Sequence, residues 1–108
     1  MKRGDIVVAV SRGAYTGKPR PLVVVQSDDY NDTHASVTLC PVTSDLTDAS
    51  SFRVTLVAGK RTGLTAPSEA MVDKIVSVPR AAVGRTIGVC STAEMNAISD
   101  ALRGWLDL

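Results

Sequence analysis

Two short stretches of the chain hold the side chains best suited to chemistry. The first is Lys18-Pro19-Arg20-Pro21, which runs straight into Leu22-Val23-Val24-Val25-Gln26. Proline fixes φ and restricts the residue before it, so Arg20 sits on restrained backbone at the mouth of an apolar strand. A guanidinium offers paired donors that match phosphate oxygens. The second stretch is Pro41-Val42-Thr43-Ser44, where a strand ends on the hydroxyl of Thr43. Such a hydroxyl can donate to a non-bridging phosphate oxygen. An arginine with a pKa above about 12 is a poor base, so Asp73 and Glu69 are the carboxylates available to accept a proton.

Other chemistries are excluded by what the chain lacks. Its single histidine, His34, rules out a two-histidine acid–base pair within one chain. Gly13-Ala14-Tyr15-Thr16-Gly17-Lys18-Pro19 lacks the full spacing and the following Ser/Thr of a nucleotide-phosphate loop. No Asp, Glu and His cluster has metal-ligand spacing, and the acids at 28, 29 and 32 read as a solvated turn. Cys40 and Cys90 lie in apolar runs without a CxxC partner, which suits buried, reduced thiols. Neither a metal nor an organic cofactor is expected.

The 108 residues make one domain, 1–108, with 44% hydrophobic and 21% charged residues. No apolar run reaches the length of about 18 residues that a membrane span needs, and Met1-Lys2-Arg3-Gly4-Asp5 is not a secretory signal. A cytoplasmic location is the expectation. Net charge is only +1, but the charges are segregated. Residues 1–26 hold five of the twelve Lys/Arg, and residues 27–50 hold five acids and no Lys or Arg. Residues 51–90 are basic again, so a phosphate-gripping face is possible if the basic segments converge.

The elements that must position these groups are short strands followed by one helix. Ile6–Val10 is a first strand, residues 11–19 a glycine-containing loop, and Leu22–Gln26 an apolar strand covered on both faces. Asp28–Thr33 has turn chemistry, and Val37–Cys40 is a strand stopped by Pro41. Phe52, Val54 and Leu56 alternate with Arg53 and Thr55, the period of a half-buried strand. Gly59-Lys60-Arg61-Thr62-Gly63 is a basic turn. Glu69–Val78 reads as a strand or bent pair ended by Pro79, and Thr86–Val89 as a last strand. Ser91 and Glu94 form a capping box. They open a helix with Met95, Ile98, Leu102 and Trp105 or Leu106 on one face, and Gly104 weakens its last turn. A small curved antiparallel sheet or partial barrel, closed on one side by the helix, is the architecture expected.

In order and spacing, several motifs resemble the MazF/PemK family of toxin ribonucleases. They are the Arg3-Gly4-Asp5-Ile6-Val7 opening, the Arg20-Pro21 pair, Gln26-Ser27-Asp28-Asp29-Tyr30-Asn31, Pro41-Val42-Thr43-Ser44 and the helix ending Trp105-Leu106-Asp107-Leu108. The resemblance covers nearly the whole chain. It implies a mainly β fold with a C-terminal α-helix, an SH3-like small barrel of the CcdB/PemK type, and a homodimer. It also implies metal-independent cleavage of single-stranded RNA through a 2′,3′-cyclic phosphate, leaving a 5′-hydroxyl, with neutralisation by a cognate antitoxin.

On that resemblance Arg20, Thr43 and Asp73 are the catalytic candidates. Arg12, Tyr15, Lys18, Ser44, Lys60 and Arg61 are candidates for holding RNA, with Tyr15 suited to stacking on a base. RNA supplies its own nucleophile, the 2′-hydroxyl, so the protein must assist its deprotonation, stabilise the phosphorane and help the 5′-oxygen leave. The chain departs from the family at Lys74-Ile75-Val76-Ser77-Val78-Pro79, where many relatives carry an arginine. The rival expectation is a non-enzymatic gyrase poison of the CcdB kind, acting through the C-terminal helix and Trp105.

Overall fold

The computed structural model describes residues 1–9 and 18–108. Its strands are β1 (Asp5–Ala9), β2 (Arg20–Val24), β3 (Ser36–Thr43), β4 (Arg53–Leu56), β5 (Ser68–Met71), β6 (Val76–Pro79) and β7 (Val83–Val89). The helices are α1 (Asp28–Asn31), a single turn, and α2 (Thr92–Leu106). All the pairings between strands are antiparallel. The strand order is β4-β5-β3-β2-β1-β7, with β6 also paired to β3. The mainly β architecture with a C-terminal helix is as expected, and the ladder is open, with β4 and β7 at its ends.

The apolar run of β2 is explained by burial on both faces. Val23 joins Ile6, Cys40, Val42, Leu56 and Ile98 in one core cluster, whereas Leu22 and Val24 join Val7, Val37 and Leu39 in another. Period-two alternation thus sends neighbouring valines to opposite clusters, and neither face tolerates a polar residue. Each such side chain contributes about 1.5–3 kcal/mol when fully buried. β2 begins two residues earlier than the apolar pattern suggests, so Arg20 is its first residue, paired with Ala9.

Pro41 does not stop the third strand, as its lack of an N–H suggested it would. β3 runs on to Thr43. Its first half, Ser36–Leu39, pairs with β6, and Val42–Thr43 pairs with β5. Pro41 is paired with Leu22 of β2 on the other side. It therefore falls where β3 changes partners, at a point whose outer edge forms no ladder pair, so the missing donor costs nothing.

A second departure lies at Asp28–Asn31, where the turn residues close one helical turn. Ser27 Oγ accepts from Asp29 N at 3.2 Å, and Asn31 Nδ2 donates to Asp28 Oδ1 at 2.8 Å. Glu69–Val78 is the bent pair, its bend a single 3-10 turn at Val72–Lys74.

The capping box of α2 is present as expected. Glu94 N donates to Ser91 Oγ at 3.1 Å, and Ser91 N donates to Glu94 Oε1 at 2.7 Å. Met95 and Ile98 are buried, Leu102 is half-buried, and the helix continues through Gly104 to Leu106. Trp105 remains 49% exposed, its ring 5.6 Å from that of Phe52.

Residues 57–66 form a tightly held loop. Thr62 is fully buried, its Oγ1 donating to Val57 O at 2.7 Å. Gly63 has φ +72, a left-handed conformation that suits glycine. Gly88 of β7 lets the backbone of Arg61 and Thr62 lie directly against the strand, where a Cβ would collide with it.

Candidate active site

Arg20 and Thr43 come together. In the β2–β3 ladder Leu22 pairs with Pro41, and continuing the register carries Arg20 to the level of Thr43. Both line a cleft of about 190 Å³, with Ser44, Leu64, Thr65 and Ser68 among the other walls. Arg20 is exposed and Thr43 half-buried. Thr43 Oγ1 accepts a hydrogen bond from Asp45 N at 3.0 Å, which fixes the oxygen and leaves its proton for an acceptor in the cleft. A guanidinium beside several hydroxyls, against the apolar walls of Leu64 and Pro21, has the donor chemistry that suits an anion such as a phosphate.

The carboxylates are placed differently. Asp73 is not among the residues lining the cleft. It sits in the 3-10 turn and forms a two-point ion pair with Arg53, with contacts of 2.8 and 3.2 Å. The Arg53 guanidinium outweighs burial and holds its carboxyl below the usual carboxylate range. Glu69 is only 4% exposed. Its Oε1 accepts from Thr47 N at 3.1 Å and Thr47 Oγ1 at 3.2 Å, and its Oε2 from Asp48 N at 3.2 Å. Both of its oxygens are taken up by the chain that follows Ser44.

The basic candidates divide. Lys18 and Lys60 are exposed. Arg61 donates to Glu94 Oε1 at 2.8 Å and to Val89 O at 3.0 Å, which ties the basic turn to the start of α2. Arg12 and Tyr15 lie outside the described residues. His34 is exposed, and its carbonyl accepts from Arg80 Nη2 at 2.9 Å. Among the described residues no group of three or more His, Cys, Asp or Glu side chains is placed to hold a metal ion.

Leu64, Thr65 and Ser68 were not singled out by sequence. They follow a glycine-bounded turn, and only its tight closure, with Gly59 N donating to Leu64 O at 3.0 Å, returns them beside Thr43. A larger hollow of about 640 Å³ lies between α2 and β4, with Arg53, Ala93, Ala97 and Ala101 in its walls. It contains none of the sequence-designated residues, and its arginine is already held by Asp73.

An open antiparallel sheet with a C-terminal helix, carrying an arginine and a strand-end hydroxyl in one cleft, defines a small β domain with a donor-lined cleft. Residues 2–106 match the family described as PemK-like, MazF-like toxin of type II toxin-antitoxin system, and the chain belongs to that family. It is 41% identical over 108 residues to a probable endoribonuclease MazF of Mycolicibacterium smegmatis, covering 100% of this chain and 98% of that protein. It is 34% identical over 116 residues to endoribonuclease MazF9 of Mycobacterium tuberculosis, again covering 100% of this chain and 98% of the relative. Among solved structures, the Mycobacterium tuberculosis toxin MazF-mt6 superposes with a TM-score of 0.83 at 24% identity, covering 96% of this chain and 97% of that one.

Proposed function

We propose that this protein is the toxin of a toxin–antitoxin pair, a sequence-selective endoribonuclease that cuts single-stranded RNA in the cytoplasm. The observation that carries the reading is the convergence of Arg20 and Thr43 on one cleft, in a chain 41% identical to a probable endoribonuclease. No helix of the described residues is long and apolar enough to cross a membrane.

The scissile phosphate rests against the Arg20 guanidinium, with the Thr43 hydroxyl donating to a non-bridging oxygen. Attack by the adjacent 2′-oxygen places extra negative charge on the phosphoryl oxygens. Donors already fixed in place stabilise that charge without reorganising, a term worth several kcal/mol for a single donor (roughly 3–4 in known cases). The 2′-hydroxyl gives its proton to water as its oxygen displaces the 5′-oxygen, which takes up a proton from water, so the products are a 2′,3′-cyclic phosphate and a 5′-hydroxyl. RNA provides the nucleophile, and the reaction has no need of a metal. Ser44 in the cleft wall and the exposed Lys18 and Lys60 serve as further contacts for the strand.

The active form is a homodimer, with RNA lying in the groove between protomers, and a cognate antitoxin competes for that groove. A solved MazE–MazF assembly from Deinococcus radiodurans, which superposes on this chain with a TM-score of 0.81 at 21% identity, supports the same fold.

Incubation of the purified protein with a long mixed-sequence RNA in excess EDTA tests the reading. Recurrent cuts with 5′-hydroxyl ends, lost in Arg20→Ala, are expected. Intact RNA in the presence of folded wild-type protein sinks it and favours gyrase poisoning through α2, where Trp105 is half exposed.

A further inference from the structure

We infer that Glu69 is a positioning residue of the Arg20–Thr43 cleft: it clamps the loop after Ser44 and thereby sets the Thr43 hydroxyl for the reaction. This rests on the endoribonuclease reading above.

Glu69 lies on β5, paired with Thr43 of β3 on one side and Thr55 of β4 on the other. Paired residues of antiparallel strands project to the same face. Val42, Ala70 and Val54, one step along, all enter the core cluster, so Glu69 and Thr43 share the face away from it. A carboxylate that is 4% exposed is costly unless its oxygens are satisfied. Here three donors from Thr47 and Asp48 satisfy them.

The loop is therefore held twice. Asp45 N is bound to Thr43 Oγ1 at 3.0 Å, and Thr47 and Asp48 are bound to Glu69 beside it. Asp48 has φ +58, a conformation unfavourable for a residue with a side chain. Such a residue persists where its surroundings over-determine it, and the Asp48 N–H is one of those bound to Glu69. Removing the carboxylate frees the loop. Ser44 is then no longer held at the cleft wall, and Thr43 Oγ1 loses the fixed donor that directs its proton. Arg53 is the charged group that also acts on Glu69. It is itself paired with Asp73.

The test compares wild type, Glu69→Ala and Glu69→Gln on a short RNA oligonucleotide in EDTA, with kcat and KM determined separately. Amide hydrogen exchange is followed at residues 44–48 and in the core strands. Glu69→Ala is expected to lower kcat by on the order of tenfold or more, with a smaller rise in KM from the release of Ser44. Exchange should accelerate at Thr47 and Asp48 and stay slow in β2 and β3. Glu69→Gln keeps the shape and the acceptor for Thr47 but turns an NH2 toward the Asp48 N–H. It should lose several-fold in kcat and release Asp48 alone, and it decides the matter if the alanine variant does not fold. Unchanged kcat in a folded variant, a change in KM alone, or undiminished protection at 47 and 48 overturns the inference. If wild type does not cut RNA, the endoribonuclease reading fails instead, and exchange alone judges the clamp.

Discussion

The Arg53 guanidinium meets the Asp73 carboxylate at two points, Nε on Oδ1 at 2.8 Å and Nη2 on Oδ2 at 3.2 Å. Both side chains are largely shielded, at 11% and 16% exposure. The pair joins β4 to the 3-10 turn that bends the chain between β5 and β6. Its geometry makes Asp73 a strut under the sheet rather than a group facing the cleft.

Asp73→Asn should therefore cost stability more than chemistry. The substitution breaks a shielded two-point ion pair, at a cost of about 3 kcal/mol. Urea unfolding should show that loss, while cleavage measured well below the melting temperature stays within a few-fold of wild type. A large fall in kcat with unchanged stability would instead make Asp73 part of the chemistry.

Acid should unfold the protein through its held carboxylates. Asp73 and Glu69 both sit below their ordinary values of 3.8 and 4.5, Asp73 because of Arg53 and Glu69 because of the Thr47 N–H first. In Glu94 burial pushes upward, but Arg61 and the N–H groups of Ser91 and Val57 together pull it below 4.5. A depressed folded value means that the unfolded chain binds the extra proton. The stabilisation is thus complete above about pH 5 and is lost as pH falls through 4.5 and beyond. Melting temperature against pH from 3 to 7 should show a steep acid limb, shallower in Asp73→Asn. A flat profile would contradict the assignment.

The two thiols should be inert in the folded state. Burial pushes both Cys40 and Cys90 up to about 12, and they are 0% and 7% exposed. Since the thiolate is the reacting species, iodoacetamide at pH 8 should modify neither until denaturant is added, after which both react. Rapid labelling of the native protein would show that the core opens locally.

Gly88→Ala should damage the cleft from behind. The new Cβ meets the backbone of Arg61 and Thr62, so the 57–66 loop must move away from β7, and Leu64 and Thr65 move with it. Overpacking of this kind costs about 1–3 kcal/mol. Both melting temperature and cleavage rate should fall, and full activity in this variant would mean that the loop does not shape the site.

Local grammar was legible in the chain. Ser91 and Glu94 specify the start of α2 by a contact three residues long, and the alternation of Val54 and Leu56 with Arg53 and Thr55 gives β4 its core face, while Phe52 lies in the turn before it. Arg20 was visible because prolines flank it where β2 begins, and Thr43 because it is the hydroxyl on which β3 ends. What stayed hidden depends on distant partners. Arg53 finds Asp73 across 20 residues, Thr47 finds Glu69 across 22, and Arg61 finds Glu94 across 33. Each charge taken alone resembles a solvated side chain or a ligand-binding one. Pro41 misled for a related reason, because whether a strand tolerates proline depends on which neighbours pair beside it.

The change of partner at Pro41 also governs how the cleft can be altered. Up to Leu39, β3 is measured against β6, and beyond Pro41 it is measured against β5, while β2 runs alongside it from Val24 to Leu22. The backbone levels of Arg20 and Thr43 are matched along the β2–β3 ladder, in steps of about 3.4 Å. The 57–66 loop hangs from β4 and β5, on the far side of that seam. The cleft walls Leu64 and Thr65 therefore come from beyond the seam, and the lining of the cleft and the level of Arg20 with Thr43 are set by separate parts of the sheet.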